Sequence, residues 1–142
     1  MSAQKPNILV ISAHGCGRNF GCYGAKTVST PAIDHLASEG ALFKNFFGVS
    51  CDSSPNQGSL FTGRYPQSNG LMGQCNEPWN WEMNDSEVHL AQLLKLDGYL
   101  PILFRLQDET AHANWKRLGF EEHRAKELNP NMENSDPQRG QR

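Results

Sequence analysis

Short apolar runs alternate along this chain with segments that carry helix signals. Three runs rich in aliphatic and aromatic residues predict strands at Asn7–Ser12, Ala41–Ser50 and Tyr99–Gln107. Helices are predicted from Pro31 up to Gly40, over Pro55–Thr62, from a Ser86 cap up to Gly98, and over Thr110–Gly119. Strands that alternate with helices are joined by right-handed crossovers and lie parallel. The sequence therefore predicts an α/β fold, with a partial, mostly parallel sheet and helices on both faces.

The length and the composition of the chain set its predicted domain organisation. A chain of 142 residues accommodates one domain with a sizeable core. We predict a single α/β domain over residues 1–126. Residues 127–142 are polar and contain proline, so a disordered tail is expected there. Within the domain, Gln67–Asp85 lacks periodicity and is predicted to be a long surface loop.

The charge and the apolar content exclude some classes of partner, and the first residues predict a location in the cell. The net charge of −2 argues against nucleic acid and against an anionic membrane surface, because both require a basic patch. No apolar run approaches the roughly 18 residues that cross a bilayer. The first residues lack the regions of a signal peptide, so the cytoplasm is the expected location. A partial sheet leaves an edge exposed, and a second copy or a partner chain is expected to cover it.

The stretch Ser50–Pro66 follows the second predicted strand and contains a helix start. Ser54 suits the N-cap, Pro55 the first helical position, and Gln57 the place where a capping box has Glu or Gln. The helix is expected to stop at Gly63. Because a helix N-terminus attracts anions, Ser54 and Asn56 are candidates for anion binding.

Several segments taken in order resemble the N-terminal part of the sulfatase family, in the alkaline-phosphatase-like superfamily. The segments are "PNILVIS", "FGCYG", "TPAIDHLASEGALFKNFF", "SSPNQGSLFTGRYPQSNGLMG" and "HLAQLLKLDGYLPILF". The resemblance covers roughly residues 6 to 122 and implies an α/β fold. It also implies a protein that hydrolyses sulfuric esters with a formylglycine, which is made from a Cys or Ser in a C/S-x-P-x-R motif, and with a calcium or magnesium ion.

The resemblance assigns positions in the nucleophile motif. The segment "TGRYP" fixes the register, so that Ser53 takes the position of the nucleophile or formylglycine precursor and Pro55 that of the motif proline. Gln57 stands where the motif has arginine. Glutamine cannot supply the permanent positive charge of a guanidinium. The motif is therefore degenerate.

The metal ligands that the resemblance implies are absent. Where the family has adjacent aspartates, or His-Asp, after the first strand, this chain has Ala13, His14 and Gly15, and a hard cation requires oxygen ligands. Where the family has a Lys and a His after the third strand, Asp108 lies near the His position. The family's second half has no counterpart. Residues after predicted strand ends are weak candidates for a makeshift metal site: His14, Asp52, Asp108 and His112.

The sequence leaves several functions open. The first hypothesis is a sulfatase-like pseudoenzyme, a degenerate and truncated domain with little or no hydrolysis, in which Ser53 and Ser54 merely cap a helix. In the second, Ser53 is converted to formylglycine and another chain supplies the missing ligands of an active hydrolase. In the third, the domain binds an anion or a protein without turnover. A purely structural remnant is the fourth.

Overall fold

A computed structural model describes residues 5–105 and 107–124, apart from the side chains of residues 112 and 113. The chain divides between Phe47 and Gly48 into two compact units. The predicted boundary between residues 126 and 127 lies outside the described residues, so the division into a domain and a tail stays a prediction. No helix among the described residues is long and apolar enough to cross a membrane.

The first unit contains a short 3-10 helix, Gly21–Tyr23, and helix α1, Pro31–Glu39. Helix α1 confirms the predicted helix, with Pro31 at its first position and Gly40 after its end. Thr30 lies at the N-cap, but its hydroxyl accepts from the Gly21 N–H at 2.8 Å and donates to Asp34 Oδ1 at 3.0 Å. The cap residue therefore connects α1 to the 3-10 helix instead of bonding to the N–H groups of its own helix.

Two of the three predicted strands are wrong within the described chain. Asn7–Ser12 and Ala41–Ser50 are irregular. A strand persists only when a neighbour pairs with its backbone and another layer covers its side chains. In the first unit none of residues 5–47 is buried, and Leu9 is 80% exposed. An apolar run alone therefore did not decide the local structure.

The second unit begins with three helices that lead into the sheet. Helix α2 spans Ser53–Thr62, α3 spans Pro66–Asn69 and α4 spans Leu90–Leu96. The predicted stop at Gly63 is confirmed, because this residue has φ of 68° and closes the helix through a bond from its N–H to Ser59 O. The predicted start at Pro55 is two residues too late.

The sheet of the second unit has two parallel strands. Strand β1, Ile102–Phe104, is the centre of the third predicted strand, and it pairs with β2, Glu122–Arg124. Leu103 lies opposite His123. The connection contains a 3-10 helix, His112–Leu118, with a kink at Asn114, where the last predicted helix lies. The parallel α/β arrangement is confirmed, whereas the polar strand β2 was not predicted because its stability depends on pairing and not on its own pattern.

Helix α4 begins later than the predicted Ser86 cap. His89 is the N-cap: its Nδ1 accepts from the Ala91 N–H at 3.0 Å, and its own N–H donates to Gln92 Oε1 at 2.8 Å. The imidazole is buried between the rings of Phe61 and Phe120. Burial lowers the pKa of His89 to about 4, so the ring is neutral at neutral pH. The reciprocal bonds and the packing together favour His89 over Ser86 as the N-cap of α4.

The core of the second unit lies beneath the segment predicted to be a surface loop. Leu71, Cys75 and Met83 are buried together with Leu118, and Phe120 packs against them. The predicted loop is confirmed over residues 70–85, most of which are exposed, but Leu71, Cys75 and Met83 are not at the surface. Its residues lack a repeat because an irregular backbone presents them to the core one at a time, and periodicity detects only regular elements.

Candidate active site at the start of helix α2

Ser53 is the first residue of α2 and follows the N-cap residue Asp52. Its hydroxyl donates to Gln74 Oε1 at 3.2 Å. The Ser54 hydroxyl donates to the same oxygen at 3.0 Å and accepts from the Cys75 N–H at 3.1 Å. A carbonyl oxygen has two lone pairs, so one glutamine can hold both serines.

The predicted capping role of Ser54 is wrong. Asp52 occupies the N-cap, and Ser54 lies inside the helix with a fully buried side chain. In a capping box the Ser54 hydroxyl would accept a bond from its own helix, whereas here it is bonded to Gln74 and Cys75. Gln74 is the residue of this site that the sequence did not reveal, because it lies in a segment without periodicity.

Asn56 holds the loop that leads into α2. Its Oδ1 accepts from the N–H of Val49 at 2.8 Å and of Ser50 at 3.3 Å, and its Nδ2 donates to Asp52 O at 2.8 Å. Both ends of the amide are therefore bonded to the backbone. The side chain that was predicted to bind an anion orients the segment before Ser53.

Gln57 lies one helical turn after Ser53. Positions four residues apart are neighbours on the same face of an α-helix, so the side chain at the motif arginine position projects beside the nucleophile position. Gln57 is half-buried there. A charged residue at position 57 would therefore lie on the face of α2 that carries position 53, and the residue present is neutral.

The buried loop after β1 is built around Gln107. Its Oε1 accepts from the N–H groups of Glu109 and Thr110 at 2.8 and 3.0 Å, and its Nε2 donates to Thr110 O at 2.8 Å. Asp108 and Glu109 are buried within this loop. The Asp108 N–H donates to Glu109 Oε2 at 2.9 Å, and burial raises the pKa of Glu109 to about 7.

Cys75 lies beside Ser54 in the core. Burial raises the pKa of its thiol, and its contact with Ser54 acts in the opposite direction. A neutral thiol is a poor nucleophile. Cys75 therefore serves packing and offers no reactive group next to Ser53.

The comparison with known proteins identifies the family. The sequence profile of the family described as Sulfatase matches residues 6–140. This chain belongs to the sulfatase family. Its resemblance to that family, and the α/β fold that the resemblance implied, are both confirmed.

Individual sulfatases align with the same part of the chain. An N-acetylgalactosamine-6-O-sulfatase from Bacteroides thetaiotaomicron is 41% identical over 101 residues, which are 69% of this chain and 19% of that protein. The human N-acetylgalactosamine-6-sulfatase is 36% identical over 106 residues, covering 68% of this chain and 20% of the relative. The crystal structure of the yidJ protein from Bacteroides fragilis superposes with a TM-score of 0.57 at 34% identity, over 66% of this chain and 21% of the other. The chain thus spans about a fifth of the length of these relatives.

The donors that this sulfatase-family chain presents do not fit a calcium or magnesium ion. His14 belongs to the first unit, whereas Asp52 and Asp108 belong to the second, and the side chain of His112 lies outside the description. Within each unit, no three His, Cys, Asp or Glu side chains among residues 5–105 and 107–124 are close enough to hold a metal ion. Such ions require about six oxygen ligands. We therefore assign no residue of the described chain to the family's metal.

A cleft of about 500 Å³ lies next to the start of α2. It is lined by Asp52, Gly73, Gln74, Asn76 and Trp79. A Cβ atom at Gly73 would lie 2.6 Å from Trp81 Cδ1, so a larger residue at this position would require the indole to shift. Gln74 forms part of the cleft and also binds both serines, which places the cleft directly beside the nucleophile position.

Proposed function

We propose that this chain is a degenerate sulfatase-family domain. It retains the nucleophile loop, but with the residues present it does not hydrolyse sulfate esters. The observation that carries the proposal is the position of Gln57, one turn after Ser53 on α2. A guanidinium at this position would favour a negative charge at position 53, whereas an amide adds no net charge. The hydroxyl of Ser53 is held by a neutral glutamine, which is not a base that could activate a nucleophile.

The donor set supports the same proposal. Sulfuric ester hydrolysis in the family uses a metal ion to neutralise the sulfate, and the described residues do not provide three suitable ligands at one place. Residues that act as one catalytic unit lose activity together when a member is missing. The domain instead has a binding role, toward an anion or a protein partner. A cytoplasmic location and assembly with a second copy or another chain belong to the same proposal.

Two alternatives make different predictions. In the first, Ser53 is converted to formylglycine and a partner chain supplies the missing ligands of an active hydrolase. Two relatives are named as N-acetylgalactosamine 6-sulfatases, so an active form would be tested first on that sulfated sugar. In the second, the domain has only a structural role. It neither hydrolyses sulfate esters nor binds sulfate.

A hydrolysis assay tests the proposal. We expect the purified chain to release no nitrophenol from 4-nitrophenyl sulfate above the Ser53→Ala control, with calcium, magnesium or a chelator present. The expectation follows from the neutral Gln57 and the absent ligand set. Saturable binding of sulfate without turnover would support a binding domain. Metal-dependent turnover that the Ser53→Ala variant lacks would contradict the proposal and favour the active hydrolase.

A further inference from the structure

The cleft beside α2 combines groups that suit a cation. Among its described lining residues, Asp52 contributes a carboxylate, Gln74 and Asn76 contribute amides, Trp79 contributes an indole, and none is a lysine or an arginine. Trp79 is 64% exposed, so its ring is accessible to a ligand. The volume of about 500 Å³ is in the range of small-molecule sites.

Asp52 is the one charged residue among the described residues that line the cleft. Other acidic side chains of the second unit are paired with arginines: Glu87 with Arg64 at 2.7 Å, Asp85 with Arg117 at 3.1 Å and Glu82 with Arg117 at 3.6 Å. These two arginines are therefore already paired. A carboxylate in a cleft that no lysine or arginine lines attracts cations.

Asp52 lies at the start of α2, where its carboxylate can bind a cation in the cleft. It occupies the N-cap of α2, where the positive end of the helix favours a carboxylate. The Nε2 of Gln74 lies 3.4 Å from its Oδ1, a long contact that leaves most of the carboxylate's hydrogen-bonding capacity for a ligand. The face of an indole attracts cations through its quadrupole, most strongly when the cation is an ammonium with apolar substituents.

We propose that this cleft binds an organic ammonium ion between the carboxylate of Asp52 and the indole of Trp79. The ligand is a small quaternary or primary amine, or the same chemistry on a lysine side chain of another protein. The proposal concerns the cleft alone. It does not depend on the chemistry of Ser53, so its failure would leave the proposed loss of hydrolysis untouched.

A fluorescence titration tests the site. Tetramethylammonium chloride is added to the full chain at constant ionic strength, with sodium chloride as the balancing salt, and tryptophan emission is recorded. We expect a saturable change in the parent chain and in the control variant Trp115→Phe, because Trp115 does not line the cleft. The Trp79→Leu variant should lose the response. Asp52→Asn, which keeps a good N-cap residue, should weaken the affinity about tenfold.

Two further ligands distinguish the source of the ammonium group. Tighter binding of Nα-acetyl-lysine methylamide, which keeps its side-chain ammonium group, than of tetramethylammonium would favour a lysine of a partner protein. The reverse order would favour a small quaternary amine. An equal response to tert-butanol, which is similar in shape but uncharged, would overturn the proposal. So would an Asp52→Asn variant that keeps the circular dichroism and the full affinity of the parent chain.

Discussion

The Leu71→Ala variant is expected to lose about 3 kcal/mol of unfolding free energy. Leu71 is fully buried and packs with Cys75, Met83 and Leu118 in the core of the second unit. Its Cδ2 lies 2.8 Å from the place of a Cβ atom at Gly58, so the backbone of α2 is in close contact with this side chain. Because the helix cannot move inward far enough to fill the space, most of the cavity should remain.

Urea unfolding measures this loss, with Leu96→Ala as a matched control. The control makes the same change at a leucine that is 86% exposed, and we expect it to shift the free energy of unfolding by less than about 0.5 kcal/mol. A loss of about 3 kcal/mol is a large fraction of the stability of a small domain. If Leu71→Ala were as mild as Leu96→Ala, the assignment of the core would be wrong.

The Glu109→Gln variant is expected to stabilise the chain at pH 8 by up to about 3 kcal/mol, and to have little effect near pH 4.5. Burial raises the pKa of Glu109 from 4.5 to about 7 in the folded chain. The folded state therefore keeps the proton longer than the unfolded state, and stability falls as pH rises through this interval. Glutamine resembles the protonated acid and can still accept from the Asp108 N–H, so it removes the cost of ionisation.

Thermal unfolding of the parent and the variant between pH 4.5 and 8 measures this effect. His89 contributes in the opposite direction, because burial lowers its pKa from 6.5 to about 4 and stability is lost as pH falls through that window. Both proteins carry His89, so the difference between them isolates Glu109. The exposed Glu77→Gln variant serves as the control for the loss of one carboxylate. A pH-independent difference between Glu109→Gln and the parent would contradict a buried, protonated carboxyl.

The parts of the fold that the sequence predicted are those with local signals. Pro31 and Gly40 mark the bounds of α1, and Gly63 ends α2 with a left-handed backbone. The apolar run at Asn7–Ser12 carried an equally clear pattern and is nevertheless irregular. Capping groups lie within the helix that they stabilise, whereas a strand depends on a partner elsewhere in the chain, and the sequence does not reveal whether that partner pairs.

In the candidate site, too, local spacing could be predicted from the sequence and contacts between distant residues could not. The motif register placed Ser53 and Gln57 by number, and their separation of four residues alone puts them on one face of α2. Gln74 binds both serines across about 20 residues, and no local pattern distinguishes it from its neighbours. Asn56 was assigned to an anion because it lies near a helix start, whereas its amide is bonded to the preceding loop. Tertiary hydrogen bonds decide such roles.

The central claim is that the nucleophile loop of this sulfatase-family chain has lost its chemistry, and the mass of one peptide tests it most directly. Trypsin releases Asn45–Arg64 from protein isolated from its native host, because Lys44 and Arg64 bound this peptide. We predict the unmodified mass, with Ser53 intact. A peptide lighter by the two hydrogens that oxidation to formylglycine removes would show that the loop is still matured despite Gln57, and would contradict the claim.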